Sequence, residues 1–277
     1  MQRNTKARHE VNNINMYHTF IFTEIEPRVG LVTLNRPEQL NAINLEMLDE
    51  FNDLFARLSK DDAIRILIIT GAGRGFCAGA DLNDAVARKD SAAFSDPENF
   101  LRLVQERYAA LILGLRRIPQ PVIAAVNGAA AGGGFSMALA CDIRVATTTA
   151  SFVASFANIG LSGGELGTSY LLPRLIGVAR SSEILLTGRK VRGEEAERIG
   201  LVNQVVANDA LLETALSYAR PMIAKGVGAL KLTKRVLDQN IDAPSLEAAI
   251  NLENRNQTIM MFSGEFFKLI EPFVKKG

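Results

Sequence analysis

The chain has 277 residues, of which 48% are hydrophobic and 22% are charged. This composition is typical of a globular protein with a large core, and it excludes an intrinsically disordered chain. Lys and Arg number 31 against 30 Asp and Glu, and the resulting net charge of +1 offers no basic surface for nucleic acid.

The N-terminal residues 1–18 are the first predicted unit. They lack the apolar stretch of a secretory signal, although their basic residues leave an organellar transit peptide open, and we expect a solvated arm. Apolar runs elsewhere reach about six residues, well short of the roughly 18 of a membrane span. Cys77 and Cys141 lie far apart, which indicates a reducing compartment. We therefore predict a cytoplasmic protein without a membrane partner.

Residues 19–206 alternate between strand and helix patterns and are predicted to form the core. Residues 64–70 include a continuous β-branched run, as expected of a strand buried on both faces. Strand–helix–strand alternation with long crossovers indicates an α/β fold with a parallel sheet. Strands are predicted at 20–24, 29–34, 64–70, 122–126 and 142–147, and helices at 45–58 and 97–117.

The chain from residue 167 onward is mainly helical in pattern. The apolar stripes of these helices must be buried, either against the core of the same chain or against a neighbouring subunit. We therefore treat residues 207–277 as a separate helical region. Helices are predicted over 167–188, 208–224, 226–239 and 244–272, with one short strand near 201–206.

Two glycine-rich loops follow two of the predicted strands. The first, Gly71–Asp81, has Phe76 where a dinucleotide-binding G-x-G-x-x-G motif needs its last glycine. The second, Asn127–Ser136, leaves backbone N–H groups uncovered by side chains. Both loops would lie at the carboxyl ends of parallel strands, where one N–H from each could form an oxyanion hole. Alternatively, the glycines only let a helix pack closely on the sheet.

A third glycine motif, Gly160–Gly164, matches the G-x-S-x-G pattern of serine hydrolases. That chemistry needs a histidine later in the chain, and none follows His18. A metal site built on histidines would have to recruit His9 or His18 from the arm, so we predict no metal. The motif is interpreted as a turn.

Four motifs occur in an order that resembles the crotonase (enoyl-CoA hydratase/isomerase) superfamily. They are Leu34-Asn35-Arg36-Pro37 with Leu40-Asn41-Ala42, Gly75-Phe76-Cys77-Ala78-Gly79-Ala80-Asp81-Leu82, Val126-Asn127-Gly128 with Gly132-Gly133-Gly134, and Ala140-Cys141-Asp142-Ile143-Arg144. The resemblance implies an α/β spiral core of ββα units. It also implies that the helical C-terminal region forms a homotrimer, often paired into a hexamer.

The resemblance further implies an acyl-CoA thioester substrate and no other cofactor. The thioester oxygen would accept hydrogen bonds from the N–H groups of Ala78 and Gly133. Phe273 and Lys275 would cover the adenine and neutralise a phosphate, in the same chain or from a neighbouring one, although Lys275 and Lys276 are equally well interpreted as a charged tail. The implied CoA groove is lined by Leu40, Ala42, Ala80, Asp81 and Leu82.

The chain departs from the superfamily at both glutamates that hydratases use. Their positions carry Ser136 and Phe156, which cannot act as general acid or base, and both are predicted to contact substrate. Glu165 lies in a loop similar to one in which related isomerases carry their acid. We predict Glu165 as the catalytic acid/base, with a helix cap as the alternative.

Other acidic and sulfur side chains near the loops are interpreted structurally. Asp81 is predicted to cap the following helix, and Asp142 is predicted to be structural. Cys77 is predicted to pack as a small apolar residue and not to act as a nucleophile, because no base is available to it. Ser136 either contacts a ligand or is a small residue on a packed helix.

The predicted activity is hydration or double-bond shift of an enoyl-CoA. The loss of both hydratase glutamates favours an isomerase on physical grounds, whereas hydratases are common in the superfamily. The alternatives are an acyl-CoA-binding protein without catalysis and a scaffold whose oligomer is its function.

Overall fold

The computed structural model describes residues 17–274, so the predicted arm lies outside the described residues except for its last two. These two contact the first helix. The Tyr17 hydroxyl donates to Asp53 at 2.8 Å, and the His18 backbone N–H donates to Glu50 at 2.6 Å. Tyr17 is also buried. The boundary predicted after residue 18 was therefore too late, because Tyr17 already packs on the core.

The strands form two sheets. The first has six strands in the order β1-β2-β3-β5-β7-β10, parallel except for the β1–β2 hairpin. The second has the order β4-β6-β8-β9, parallel except for β8–β9. The strands are β1 (Phe20–Glu26), β2 (Val29–Leu34), β3 (Ile66–Gly71), β4 (Gly75–Cys77), β5 (Val122–Val126), β6 (Ala129–Ala131), β7 (Ile143–Thr147), β8 (Ser151–Val153), β9 (Lys190–Arg192) and β10 (Gln204–Val206).

The predicted parallel α/β core is confirmed, and the second sheet is a feature that the sequence did not predict. Its four strands have three residues each, which is too short for any periodicity to register. β3 and β5 are neighbours and parallel, with Leu67 beside Val122. The two glycine-rich loops therefore do leave the same edge of the sheet.

Twelve α-helices are described within residues 17–274. They are α1 (Leu45–Leu58), α2 (Leu82–Ala87), α3 (Pro97–Phe100), α4 (Glu106–Arg117), α5 (Gly133–Ala140), α6 (Thr168–Ile176), α7 (Val178–Thr187), α8 (Gly193–Arg198), α9 (Leu211–Ile223), α10 (Val227–Asn240), α11 (Leu246–Met261) and α12 (Glu265–Val274). None of them is both long enough and apolar enough to cross a membrane.

The helix predicted over 97–117 consists of α3, a π-helical turn over Leu101–Gln105, and α4. The helical segment predicted over 167–188 is divided at Gly177, whose φ is +81°. The segment predicted over 244–272 is divided near Gly264, whose φ is +78°. Positive φ favours glycine and ends a helix, so each division follows from a glycine within a helical pattern.

The last four helices divide into two groups. Leu211, Ala215 and Ala219 of α9 are buried against strand residues that include Ile66 and Ile68. α9 therefore belongs to the core, and the predicted boundary at 206/207 does not separate two packed units. Helix α11, by contrast, has no buried residue. Several large apolar side chains on α10–α12 are exposed: Leu237, Leu246, Phe262, Phe267, Phe273 and Val274.

Candidate active site

Two asparagine side chains hold the first glycine-rich loop in place. The Asn127 amide donates to the carbonyls of Gly73 at 3.1 Å and Gly75 at 3.2 Å, and its oxygen accepts from the Gly71 N–H at 3.1 Å. The Asn41 amide donates to the Gly75 carbonyl at 2.9 Å. The Asn127 bonds fix the loop after β3 against the loop after β5, and the Asn41 bond ties the first loop to the segment before α1.

Ala80 presents an unpaired backbone donor at the end of the first loop. Ile43 forms backbone hydrogen bonds with the residues on both sides of Ala80. Its N–H donates to the Gly79 carbonyl at 2.7 Å, and its carbonyl accepts from the Asp81 N–H at 2.9 Å. Extended backbone alternates its N–H groups between two sides, so the Ala80 N–H points away from Ile43. No acceptor for it occurs among the described residues.

The neighbouring donor predicted at Ala78 is already used. The Ala78 N–H donates to the Leu40 carbonyl at 3.0 Å. It therefore cannot serve an oxyanion hole in this arrangement, contrary to the sequence-based assignment. The physical reason is the backbone between them: Gly79 has φ +93°, so regular strand alternation does not continue from Ala78 to Ala80, and only the Ala78 N–H meets the Leu40 carbonyl.

The second loop brings its own donor next to the first. Gly132 has φ +49° and ψ −121°, a conformation suited to glycine, and α5 starts directly after it at Gly133. The Gly133 N–H belongs to the first helical turn and has no acceptor among residues 17–274. A Cβ on Gly79 would lie 3.1 Å from the Gly133 nitrogen and 2.7 Å from the Ala131 carbonyl oxygen. The two loops thus touch beside Ala80.

Asp81 is buried and links the first loop to the motif around Arg36. Its carboxylate accepts from Arg36 at 2.8 Å and from the backbone N–H groups of Asn83 and Asp84. Burial by itself would raise the pKa of Asp81, but the hydrogen bond from Arg36 and those backbone donors outweigh it and lower the pKa. The prediction that Asp81 caps a helix is confirmed, since it is the N-cap of α2.

The other residues predicted for the CoA groove lie around the same segment. The Ala42 carbonyl accepts from Arg36, Leu40 has φ +50°, and Leu82 is exposed at the start of α2. Phe273 instead lines a cavity of about 400 Å³ between α10, α11 and α12, with no residue of either glycine loop in its lining. Lys275 lies outside the described residues.

Glu165 lies in a tight turn before α6. Leu166 and Gly167 have φ of +48° and +80°, and Leu166 is a non-glycine residue in a conformation that costs energy. Thr168 closes the turn: its N–H donates to the Glu165 carbonyl at 3.0 Å, and its hydroxyl accepts from the Glu165 N–H at 3.1 Å. Gly167 is the N-cap of α6, so the alternative of Glu165 as a side-chain cap is wrong.

The side chain of Glu165 is half-buried and accepts a hydrogen bond from the amide of Gln105. The adjacent Leu166 reaches the second glycine loop, because its Cδ1 is 3.6 Å from the position a Cβ on Gly133 would take. The turn that carries the carboxylate therefore contacts the second glycine loop at Gly133 through the side chain of Leu166. Gln105 was not predicted from the sequence.

Ser136 and Phe156 occupy the places of the two missing glutamates. Ser136 is fully buried, and its hydroxyl donates to the Gly132 carbonyl at 3.3 Å. This supports its interpretation as a small residue on a packed helix and not as a ligand contact. Phe156 is buried, with its Cε1 3.6 Å from the position of a Cβ on Gly132. Neither position therefore offers a carboxylate beside the second loop.

The remaining chemically active side chains near the loops have structural roles. Burial raises the pKa of the Cys77 thiol to about 12, consistent with its interpretation as a small packed residue and not a nucleophile. Asp142 accepts from the Val122 N–H at 2.8 Å and pairs with Lys234 at 3.0 Å, which confirms it as structural. No strand directly precedes the motif at Gly160, where a 3-10 turn occurs instead.

One grouping of potential metal ligands occurs among the described residues. His18, Glu46 and Glu50 have ligand atoms within 4.8 Å of one another on the surface of α1. His18 Nδ1 lies 3.0 Å from Glu46. The group is not among the residues around the glycine loops, and a simple ion pair accounts for it.

Comparisons with known proteins place the chain in a family. The family described as Enoyl-CoA hydratase/isomerase matches residues 24–277. A probable enoyl-CoA hydratase of Mycobacterium leprae is 43% identical, over 90% of this chain and 85% of its own. A crystal structure of a probable enoyl-CoA hydratase/isomerase from Mycobacterium abscessus has TM-score 0.84 and 40% identity, covering 93% of this chain and 96% of its own. A monofunctional enoyl-CoA isomerase from M. smegmatis has TM-score 0.71 and 44% identity, covering 84% and 98%.

Proposed function

Because this chain belongs to the enoyl-CoA hydratase/isomerase family, a branch of the crotonase superfamily, we propose that it shifts the double bond of an enoyl-CoA between C3 and C2. One observation carries the proposal: Glu165 lies in a turn whose next residue, Leu166, contacts the second glycine loop, while Ser136 and Phe156 stand where hydratases need two glutamates. A carboxylate without a second one suits proton transfer within the substrate better than addition of water.

In the proposed reaction the thioester oxygen accepts hydrogen bonds from the N–H groups of Ala80 and Gly133. Glu165 removes a proton from C2 of a 3-enoyl-CoA, and the C–H electrons form a dienolate with negative charge on that oxygen. The same carboxyl group then returns the proton to C4, the electrons leave the oxygen, and a 2-enoyl-CoA forms. No water is added and no electron is lost.

The backbone donors supply much of the stabilisation. Each well-placed donor to a developing oxyanion is worth about 3–4 kcal/mol, and proton transfer by a positioned carboxylate adds about 10²–10⁴ in rate. The loops fix the two donors through Asn127 and Asn41, so little reorganisation is needed when charge develops.

The proposed CoA site is the groove around Leu40, Ala42, Asp81 and Leu82. We further propose a homotrimer, alone or paired into a hexamer, because α10–α12 expose many apolar side chains. Phe273 could then contact the CoA of a neighbouring subunit, which would explain why it lies apart from the glycine loops of its own chain.

The experiment offers a 3-enoyl-CoA and a 2-enoyl-CoA to the protein and follows the absorbance of the conjugated thioester. We expect the 3-enoyl-CoA to gain this absorbance and Glu165→Gln to lose at least about 10² in rate. The matched control is Glu106→Gln, an exposed acid on α4, with the wild-type rate. Loss of absorbance from the 2-enoyl-CoA would identify a hydratase, and binding without turnover of either ester would identify a non-catalytic protein.

A further inference from the structure

A π-helical turn interrupts the long helix that passes beside Glu165. The helix runs as α3 over Pro97–Phe100, continues as the π turn over Leu101–Gln105, and resumes as α4 at Glu106. Such turns are rare and occur frequently at functional sites, because they shift the direction of the side chains that follow. Here the last residue of the turn is Gln105.

Gln105 contacts the proposed acid/base directly. Its Nε2 donates to one carboxylate oxygen of Glu165, and both side chains are half-buried. The amide must present its NH₂ group, because an ionised carboxylate only accepts hydrogen bonds. One oxygen of Glu165 is thereby held, and the other stays available for a substrate proton.

The same helix is also attached to the oxyanion side of the site. The hydroxyl of Tyr108 donates to the Ile43 carbonyl at 2.8 Å, and Ile43 is the residue that pairs on both sides of Ala80. Gln105 and Tyr108 are three residues apart, so they share a face of the helix. One rigid element thus contacts both the carboxylate and the backbone segment that carries the Ala80 N–H.

We propose that Gln105 is a positioning residue, which fixes the Glu165 carboxylate relative to the two backbone donors. This inference rests on the proposed function, because it assigns Gln105 a role only through Glu165. The hydrogen bond restricts the rotamers that the Glu165 side chain can adopt. Its loss should slow proton transfer while the affinity for the CoA ester stays the same.

The test is a double-mutant cycle of Gln105→Met and Glu165→Gln, measured as kcat and KM for the 3-enoyl-CoA. Methionine keeps the length of the side chain and removes the donor. We expect Gln105→Met to lower kcat by about 10- to 100-fold with KM unchanged, since a hydrogen bond to a charged group is of that strength. In the Glu165→Gln background the same substitution should have almost no further effect.

A second variant, Gln105→Glu, adds a readout that a merely structural residue would not give. At neutral pH two facing carboxylates repel, so kcat should fall; on acidification the pair shares one proton and activity should recover. Gln105→Met should show no such recovery. The matched control is Gln239→Met on the exposed side of α10, expected to behave as wild type.

The outcomes separate the two proposals. Wild-type kcat in Gln105→Met, or equal losses in both backgrounds of the cycle, would overturn the positioning role while Glu165 keeps its own. Wild-type activity of Glu165→Gln, or no turnover by the wild-type protein, would overturn the proposed function and the role of Gln105 with it.

Discussion

Gly79→Ala perturbs the place where the two glycine loops touch, and its cost can be worked out from the structure. Gly79 has φ +93°, and a non-glycine residue there costs about 1–3 kcal/mol. A Cβ would also lie 2.7 Å from the Ala131 carbonyl oxygen and 3.1 Å from the Gly133 nitrogen. Both are backbone atoms that cannot rotate away, and overpacking of this kind adds about 1–3 kcal/mol.

Gly160→Ala is the matched control, because it isolates the first of these two costs. Gly160 has φ +82°, and a Cβ there would meet nothing within 4 Å. Its expected cost is therefore the conformational part, about 1–3 kcal/mol. The difference between the two variants, about 1–3 kcal/mol, measures the close approach of the loops.

The assay is urea-induced unfolding of both variants, followed by kcat on the 3-enoyl-CoA at a temperature where both are folded. Gly79→Ala should also lose about 10² or more in kcat, because the added methyl group displaces the Gly133 donor. Gly160→Ala should keep the wild-type kcat. Equal destabilisation by the two substitutions, together with wild-type kcat in both, would refute the contact between the loops.

Three further outcomes follow from buried groups. The pKa of Asp81 is lowered in the folded state, so its contribution to the free energy of unfolding is present above about pH 4 and is lost as the pH falls through that lowered pKa. Compared with the wild type, Arg36→Met should be less stable to urea at neutral pH and should lose less stability on acidification over this range. Burial raises the pKa of Cys77 and of Cys141 to about 12, so a thiol reagent at pH 8 should label neither in the native protein and both in urea, and native labelling would contradict their burial. Lys234→Met should lower the free energy of unfolding by about 1–3 kcal/mol for each buried carbonyl that loses its donor, because the buried Lys234 ammonium donates to the carbonyls of Leu115 at 2.9 Å and Gln120 at 2.8 Å; a total change below about 1 kcal/mol would contradict those hydrogen bonds.

The sequence predicted the parts of the site that depend on strand order. The β-branched run before Gly71 and the apolar run before Asn127 identified two buried strands, and the parallel rule then brought their loops to one edge. Asp81 as a helix cap and Asp142 as a structural acid were recognisable because each sits at the boundary of an element. The family resemblance predicted a CoA groove, which stays a prediction; the segments that carry its lining residues pair with each other at Ile43 and Ala80.

The donor of the first loop was misassigned because spacing along the chain does not tell which way an N–H points. Ala78 and Ala80 are both small residues in the same motif. They differ only in their hydrogen bonds, since the Ala78 N–H is taken by Leu40. That difference arises from tertiary pairing with residues 40–43, which no local pattern within the motif reveals.

Gln105 and the second sheet had no usable signal in the sequence. Gln105 lies in a polar stretch of a helical pattern, where nothing marks a π turn. The three-residue strands of the second sheet are stabilised by their neighbours and not by their own composition. Local propensity is a weak predictor where tertiary context decides the conformation.

Transfer of an isotopic label within the substrate tests the central claim most directly. A 3-enoyl-CoA deuterated at C2 is converted by the enzyme, and mass spectrometry with NMR locates the label in the product. If Glu165 carries the proton between C2 and C4 while backbone N–H groups hold the enolate, deuterium should appear at C4 of the 2-enoyl-CoA, and Glu165→Gln should abolish this transfer. A product heavier by one water molecule, or unchanged transfer in Glu165→Gln, would contradict it.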